Sequence, residues 1–442
     1  MLTVRKHLQG ARGSIYAGSF FSLYRVLTVV LRVLRVIGPR QMARRPVTGL
    51  KVLVCGRVDS LNWCRAHLLP LANSAMVAQL LAVIDGEVIP HPKICVPVGS
   101  WMWLTRLLPR SFVRTLRCLE VAIAFKPDIV IGYSFLPATI GALLAAKLSG
   151  ALAVYQMCGG PAELANGGLA SDAPDQIIPP VPQGWRPSLE RAALAICDHL
   201  DGIVIRGKKA QEYLNAHSIH KHIAIIPGSV EQRRFASETI GRKYDIAFLG
   251  RFVQDKQPHL LVDIAAELLN KQLCIRCVFA GTGPLFSATV TRAQNLGIQD
   301  SIEFPGKLEN PETLLRATKI FLLTSRSEGL SIALAEAMTA GAVPVVSNVG
   351  DLAELVQDGV TGYLVTPGQI TDFAKRIEQL LKSSELWGTL SNNARSIAIR
   401  NNSSESVTRK WNSYFSDLIH SPGPICVKKR DRGPRSSIVR RK

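Results

Sequence analysis

From residue 50 onward, short runs rich in Val and Ile alternate with longer runs of helix-forming residues. This alternation is typical of α/β domains in which helices connect parallel strands. Few of the strand runs alternate apolar with polar residues, which indicates that helices cover both faces of each sheet. The predicted strands are KVLVC, KICVPV, DIVIGY, ALAVYQ, GIVIRG and IAIIPG, then YDIAFLG, CIRCVFAG, SIEFPG, KIFLLTS, AVPVVS and GYLVTP. Two doubly wound domains facing across a cleft follow from this pattern, and ligands bind at the carboxyl ends of such strands.

The length of 442 residues is sufficient for two domains that each bury a full core. The crossing between the two halves is predicted near residues 227–243. The predicted division is a basic apolar segment over 1–49, a first domain over 50–235, a second over 236–402, a helix over 403–420 that packs back on the first domain, and a basic disordered tail over 421–442.

The formal net charge of +20 first suggests nucleic acid or an anionic membrane as a partner. The charge is concentrated at the ends, because residues 1–49 carry +9 and residues 421–442 carry +7. The body between them is therefore nearly balanced at +4. This distribution argues against a nucleic-acid groove across the body, so we expect no specific nucleic-acid partner. The tail can bind anionic lipid or RNA without specificity.

The stretch Ser19–Arg40 is apolar but carries charges too frequently for a spanning helix. On a helix, Arg25, Thr28, Arg32 and Arg35 fall within one narrow arc, and Leu, Val and Phe occupy the rest. This pattern predicts a helix lying in the membrane interface. Docking on the protein's own surface and disorder are the alternatives.

A second basic amphipathic stretch begins at Trp101. There Arg106, Arg110, Arg114 and Arg117 share one predicted helix face, with tryptophans nearby. Tryptophan at a polar–apolar boundary suits a membrane surface, although an ordinary surface helix explains the pattern equally well. Both stretches predict a protein attached peripherally to the cytoplasmic face of an anionic membrane.

The cysteines are scattered and odd in number, nine in all, as in a reduced cytosolic protein. The only C-x-x-C, Cys274 to Cys277, has no second pair to complete a zinc site. The histidines of HSIHKH, at 217–222, fall between a predicted helix and strand and are read as a solvated loop. No metal site is predicted.

Three strand ends in the second half carry residues suited to an anionic ligand. LGRFVQDKQ places Arg251 and Lys256 after a strand, and AGTGP follows the next one. SRSEGLSIALAEAM places Glu328 and Glu336 eight positions apart at a third strand–helix turn. Fixed cations and the free N–H groups of a helix start stabilise growing negative charge. Glu336 lies in an apolar run and needs a partner there, because an unpaired buried carboxylate is costly.

Together with VSNVGDLAELVQDGVTGYLV, which follows, this ordered set resembles the retaining family 4 glycosyltransferases (glycosyl transferases group 1). The resemblance is strong over about 240–370 and weaker over 50–235. It implies the GT-B fold, two Rossmann-like domains facing across a cleft, and a nucleoside-diphosphate sugar as donor. The implied donor-binding residues are Gly250, Arg251, Lys256, Gly281, Gly283, Glu328, Gly329, Leu330, Ser331 and Glu336.

Among these, the resemblance implies catalytic roles for Arg251, Lys256 and Glu328. Glu328 is expected to contact sugar hydroxyls and Glu336 to hold the ribose diol, which would supply the partner that its apolar setting demands. The sequence contains no D-x-D triplet, the metal–diphosphate anchor of the other large glycosyltransferase fold. We therefore expect no required metal ion or other cofactor.

The acceptor side departs from the family pattern. In AVYQMCGGPAEL, Cys158 stands where a His is often found, followed by Gly159 and Gly160. These glycines can admit a sugar or phosphate close to the backbone. Glu163 is read either as an acid that contacts the acceptor or as an ordinary acid at a helix start.

The sequence thus predicts a hexosyltransferase that moves a sugar, with retention, to a glycan or lipid-linked acceptor in polysaccharide or glycolipid synthesis. A sugar-nucleotide epimerase of the same architecture is one alternative, because it would bind the donor without an acceptor. A membrane- or RNA-binding scaffold that has lost its chemistry is the other.

Overall fold

The computed structural model describes residue 22 and residues 24–33, 48–57, 60–97, 105–168, 184–235 and 241–420. These residues form two α/β domains, each built on one parallel sheet. The sheets have seven and six strands.

The first sheet has the strand order β3-β2-β1-β4-β5-β6-β7. Its strands are β1 (Leu50–Arg57), β2 (Val77–Asp85), β3 (Ile94–Cys95), β4 (Ile129–Tyr133), β5 (Leu152–Gln156), β6 (Gly202–Ile205) and β7 (His222–Ile225). The helices described here are α1 (24–33), α2 (Leu61–Ala72), α3 (Arg110–Phe125), α4 (Ile140–Ser149), α5 (Pro161–Ala165), α6 (Arg186–Cys197) and α7 (Lys208–Ala216).

The second sheet has the order β10-β9-β8-β11-β12-β13. Its strands are β8 (Tyr244–Leu249), β9 (Cys277–Ala280), β10 (Ile302–Gly306), β11 (Thr318–Leu323), β12 (Val343–Ser347) and β13 (Tyr363–Val365). The remaining helices are α8 (Gln232–Phe235), α9 (Pro258–Asn270), α10 (Phe286–Asn295), α11 (Pro311–Arg316), α12 (Ile332–Thr339), α13 (Ile370–Lys382), α14 (Ser384–Asn402) and α15 (Ser404–His420). This strand order is that of a doubly wound dinucleotide-binding domain, in which the crevice at the carboxyl ends binds ligands.

The central strands are buried over their full length, as sequence runs without alternation predict for sheets covered on both faces. In the first domain, alternate residues of β1 enter two different cores. Leu53 and Cys55 pack with α3, α4 and α6, whereas Val52 and Val54 pack with α2 and α15. Burial on both faces fixes the strand register, because a slip of one residue would exchange the two faces.

The chain passes between the domains twice at one place. Outbound, Val230 N donates to the carbonyl of Asn402 at 2.7 Å, and on the return the Asn402 side chain donates to the carbonyl of Gly228 at 2.9 Å. Beyond this point α15 lies on the first domain, where Trp411 and Phe415 are buried in its core.

Helix α1 docks on the first domain through one face. Leu27 is fully buried in the core, and Val30 and Leu31 pack against it. The opposite face leaves Val26 and Val29 each 55% exposed. The structure thus contains the docked arrangement, one of the alternatives for this segment, and leaves a second apolar stripe uncovered.

Helix α3 corrects the sequence interpretation of the stretch from Trp101. Arg106 and Arg110 are exposed, but Arg114 and Arg117 are buried. Arg114 forms an ion pair with Asp85 at the end of β2, and Arg117 donates to the carbonyl of Pro97. The four arginines therefore do not form one solvent-facing basic surface. Trp101 and Trp103 lie outside the described residues.

Within the described part of the chain, none of the helices combines the length and the apolar character needed to cross a bilayer.

Candidate active site

A cavity of about 290 Å³ lies between the two domains, where their strand ends face each other. Residues from the first domain that line it are Trp63, His67, Cys158, Gly159 and Arg206. The second domain contributes Leu249, Gly250, Arg251, Val253, Asp255, Lys256 and the continuous stretch 327–333. The cavity therefore lies at the position that two doubly wound domains predict for a ligand.

Arg251 and Lys256 reach the cavity from the loop that follows β8. Lys256 ends a 3-10 turn, Gln254–Lys256, just before α9. Its ammonium group forms an ion pair with Glu328, whose Oε1 also accepts from the Ser325 hydroxyl at 2.6 Å. The structure thus brings the predicted catalytic residues to one wall of the cavity and holds Glu328 through two donors.

The stretch Glu328–Ser331 lines the edge of the cavity and leads into α12. Ser331 caps this helix, because its hydroxyl accepts from Leu334 N at 3.3 Å. At Gly329, a Cβ would lie 3.1 Å from the carbonyl oxygen of Cys158, so the two domains nearly touch here. The absence of a side chain at Gly329 permits this approach.

Gly281 and Gly283 do not line the cavity; they pack behind it. Their φ angles are +134° and +152°, and a Cβ at Gly281 would lie 1.8 Å from the carbonyl oxygen of Gly250. Phe252 N donates to the carbonyl of Thr282 at 2.9 Å, which ties the two loops together. In this structure the glycines therefore shape the loop that carries Arg251.

Glu336 is 5% exposed and finds its partner in the other domain. The Asn62 side-chain amide donates to Glu336 Oε1 at 2.8 Å, and Arg234 donates to the Asn62 carbonyl oxygen at 2.9 Å. Burial raises the pKa of Glu336 to about 8, more than Arg234 lowers it. The partner that the apolar setting demands is thus present in the protein itself, without a ribose.

On the first-domain wall, Glu163 lies beneath the Cys158–Gly159 loop and does not line the cavity. Its Oε2 accepts from the backbone N–H groups of Cys158 and Gly159 at 3.2 and 3.0 Å, and its Oε1 accepts from Phe135 N. Gly160 continues the loop toward Gly329, with φ +67°. The geometry therefore assigns Glu163 to positioning the loop, in place of the acceptor contact considered from sequence.

Two polar residues of this wall were not selected from the sequence. His67, from α2, is 4% exposed, and its Nε2 has no hydrogen-bond partner among the described residues. Burial, and to a lesser extent Arg206, holds the pKa of His67 well below its ordinary value, so the imidazole is neutral. Arg206 follows β6 and is 6% exposed. The sequence signal at Arg206 was a cation at the end of an otherwise apolar predicted strand, GIVIRG.

The Cys158 thiol is held in its neutral form, because burial raises its pKa more than Arg206 lowers it. The Arg206 guanidinium donates to Cys158 Sγ at 3.5 Å. Across the described residues, no group of three or more His, Cys, Asp and Glu side chains is arranged to hold a metal ion.

Two Rossmann-like domains that close on a cavity at their strand ends form the GT-B architecture of glycosyltransferases. Residues 229–397, which make up most of the second domain, match the family described as glycosyl transferases group 1.

Two curated relatives match this chain over stretches of similar length. The chain is 32% identical over 171 residues to the N-acetyl-alpha-D-glucosaminyl L-malate synthase of Bacillus anthracis, covering 39% of this chain and 45% of that protein. It is 33% identical over 163 residues to the Vi polysaccharide biosynthesis protein VipC/TviE of Salmonella typhi, covering 37% of this chain and 28% of that protein. The matched region thus spans less than half the length of either relative.

Among solved structures, HepE of Anabaena in complex with UDP superposes with a TM-score of 0.62. The match covers 83% of this chain and 100% of that chain at 16% sequence identity, so it establishes the fold.

Proposed function

We propose that this protein is a glycosyltransferase that moves a sugar from a nucleoside-diphosphate sugar to a glycan or lipid-linked acceptor. The family match of the second domain and the cationic wall of the interdomain cavity support this function. Because the solved relative named above was crystallised with UDP, a UDP-sugar is the first donor class to test.

The observation that carries the proposal is the convergence of Arg251, Lys256 and the start of α12 on one cavity. When the donor's glycosidic bond breaks, negative charge grows on the departing diphosphate. A guanidinium can bind two phosphate oxygens at once, an ammonium adds a point charge, and the helix start adds backbone N–H donors. Such fixed groups stabilise the transition state without reorganising. We propose that they replace a metal ion in this role.

We further propose that the reaction retains the anomeric configuration by same-face attack. A double displacement needs a carboxylate free to attack the anomeric carbon. The two carboxylates that line the cavity are both engaged, Glu328 by Lys256 and Asp255 by Arg326 at 3.0 Å. In the proposed step the acceptor oxygen bonds to the anomeric carbon, the bond to the diphosphate breaks, and the acceptor proton passes to the leaving phosphate oxygen.

The remaining polar groups suit the sugar and the ribose. Neutral His67 can exchange a hydrogen bond with a sugar hydroxyl, and it lines the same wall as Cys158. Glu328, already aligned by Lys256 and Ser325, faces the same space. We propose that a donor whose ribose diol binds Glu336 displaces the Asn62 amide. Donor binding would then loosen one contact between the domains.

We also propose peripheral attachment to an anionic membrane through the outer face of α1. Val26, Val29 and Val33 form an exposed apolar stripe on this helix, and Arg25 and Arg32 are exposed beside it. Apolar side chains flanked by arginines are the combination that an anionic membrane surface attracts.

The proposed function is tested by incubating the purified chain with a panel of UDP-, GDP- and ADP-sugars. Nucleotide binding is measured first, as thermal stabilisation of the protein by each nucleotide. Transfer is then read as acceptor-dependent release of the nucleoside diphosphate, with the anomeric configuration of the product determined by NMR. Conversion of the donor to another sugar without any acceptor would identify an epimerase instead. Stabilisation by no nucleotide would contradict the proposal.

A further inference from the structure

Arg206 is a buried cation whose charge the described protein does not neutralise. Its side chain is 6% exposed, and its Nε is buried without a hydrogen-bond partner. The contact seen for its guanidinium is the neutral Sγ of Cys158 at 3.5 Å. Among the residues placed in the structure, no carboxylate lies within ion-pair distance of it. Buried Arg114, by contrast, is paired with Asp85.

A buried charge is tolerated in a folded protein when a counter-ion and hydrogen bonds compensate for the water that it has lost. Arg206 lines the interdomain cavity, so a ligand in that cavity can supply the counter-ion. The carboxylates of the cavity are engaged elsewhere, since Glu328 pairs with Lys256 and Asp255 with Arg326. The missing negative charge must therefore arrive with the ligand.

The position of Arg206 indicates which part of the ligand carries this charge. Arg206 lies on the first-domain wall with Cys158, Gly159 and His67, whereas the proposed diphosphate site is on the second-domain loop of Arg251. A planar guanidinium binds a carboxylate or phosphate through two parallel hydrogen bonds.

We propose that Arg206 binds a carboxylate or phosphate on the sugar side of the reaction, so that either the acceptor or the transferred sugar is anionic. This inference rests on the proposed function and narrows its substrate class. Neutral His67 completes the same wall as a hydrogen-bonding group that adds no charge.

The test compares wild-type protein with R206Q and R206K. R206Q removes the charge, whereas R206K keeps the charge but loses the planar guanidinium that can donate two parallel hydrogen bonds. The matched control is K208Q, which removes a cation two residues away whose side chain is 69% exposed. Calorimetry first measures the affinity of each protein for UDP. One arm then compares UDP-glucose with UDP-glucuronate, which places a carboxylate on the transferred sugar. The other arm adds glucose, glucose 6-phosphate or inorganic phosphate to the UDP-bound protein, which represents an anionic acceptor.

We expect wild type to bind the charged member of one pair about 10- to 100-fold more tightly, the range for a charge-assisted hydrogen bond. R206Q should lose that preference, R206K should keep part of it, and K208Q should keep all of it, with UDP affinity within about threefold throughout. The arm that shows the preference identifies the source of the anion.

Wild type that binds UDP but shows no preference in either arm would overturn the inference and leave the proposed function standing. The inference would also be overturned if R206Q lowered the affinity for UDP alone by about 10- to 100-fold. Arg206 would then belong to the nucleotide site. Failure of wild type to bind any nucleotide would instead contradict the proposed function, and this inference with it.

Discussion

Replacing Glu336 with Gln should remove a large pH dependence of stability. The carboxyl is 5% exposed, accepts a hydrogen bond from Asn62, and has its pKa raised from 4.5 to about 8, chiefly by burial. Gln keeps the shape and the acceptor oxygen but cannot ionise. The variant therefore mimics the protonated state at every pH.

The size of the effect follows from the two pKa values. Because the folded-state pKa is raised, the folded protein binds more protons than the unfolded chain between pH 4.5 and 8. Stability from this group is fully present below pH 4.5 and is lost as the pH rises through about 8. At about 1.4 kcal/mol per pH unit, the loss across this window is on the order of 5 kcal/mol. For a domain of this size that corresponds to roughly 10 °C or more in melting temperature.

Scanning calorimetry at several pH values from 5 to 8.5 would measure the difference in melting temperature between wild type and E336Q. We expect the difference to shift steadily in favour of E336Q as the pH rises and then to level off. The matched control is E385Q, at an exposed carboxyl in the first turn of α14. Parallel pH profiles of the melting temperatures of wild type and E336Q would show that Glu336 is not a buried, protonated acid at neutral pH.

Three further predictions follow from the site and its supports. R251A should lower kcat by about 10²- to 10³-fold at saturating donor, because it removes an electrostatic contact to the leaving group. The control R292A, on α10, should leave kcat unchanged. Near-normal turnover of R251A would exclude a contact between Arg251 and the leaving group. E163Q should lower the stability of the first domain by about 1–3 kcal/mol in urea denaturation, because backbone N–H groups of the 158–159 loop lose an acceptor; an unchanged midpoint would contradict the positioning role. Replacing Val26, Val29 and Val33 together with Ser should reduce co-sedimentation with anionic vesicles while leaving Leu27 buried; equal sedimentation would dismiss α1 as the attachment site.

Much of the fold could be predicted because each predicted strand is a short, mostly continuous apolar run. A strand in a sheet that is buried on both faces needs such a run. Strand β2, Val77–Asp85, was missed. It follows α2 closely, and its Ala, Leu and Gln are helix formers, so local propensity does not mark it as a strand; pairing with β1 in the folded sheet does. Strand β3 is reduced to two residues, Ile94–Cys95, at the edge of the sheet.

The second-domain wall could be predicted because its residues are contiguous with strand ends. Arg251 and Lys256 share the loop after β8, and Glu328 lies in the loop between β11 and α12. Contacts between the domains could not be predicted in the same way. Asn62 is 274 positions from Glu336 along the chain, and no local pattern pairs them.

The first-domain wall was harder to predict because its chemistry depends on burial. Glu163 resembles any acid near a helix start until its oxygens are seen beneath a loop. Likewise, His67 lies among the buried and otherwise apolar residues of α2, where a histidine packed in the core is the common case. Its ring packs against Trp63, one turn earlier on α2, and against Tyr133 of β4, with ring centroids 4.7 and 6.0 Å away. The contact with Tyr133 exists only in the folded chain.

A crystal structure of the protein with a bound nucleoside-diphosphate sugar would show where each part of the donor lies. We expect the diphosphate beside Arg251 and Lys256 at the start of α12, and the sugar between Glu328 and His67. In this arrangement Glu336 exchanges the Asn62 amide for the ribose hydroxyls. A donor bound outside the interdomain cavity, with the Asn62–Glu336 hydrogen bond intact and Arg251 far from any phosphate, would contradict it.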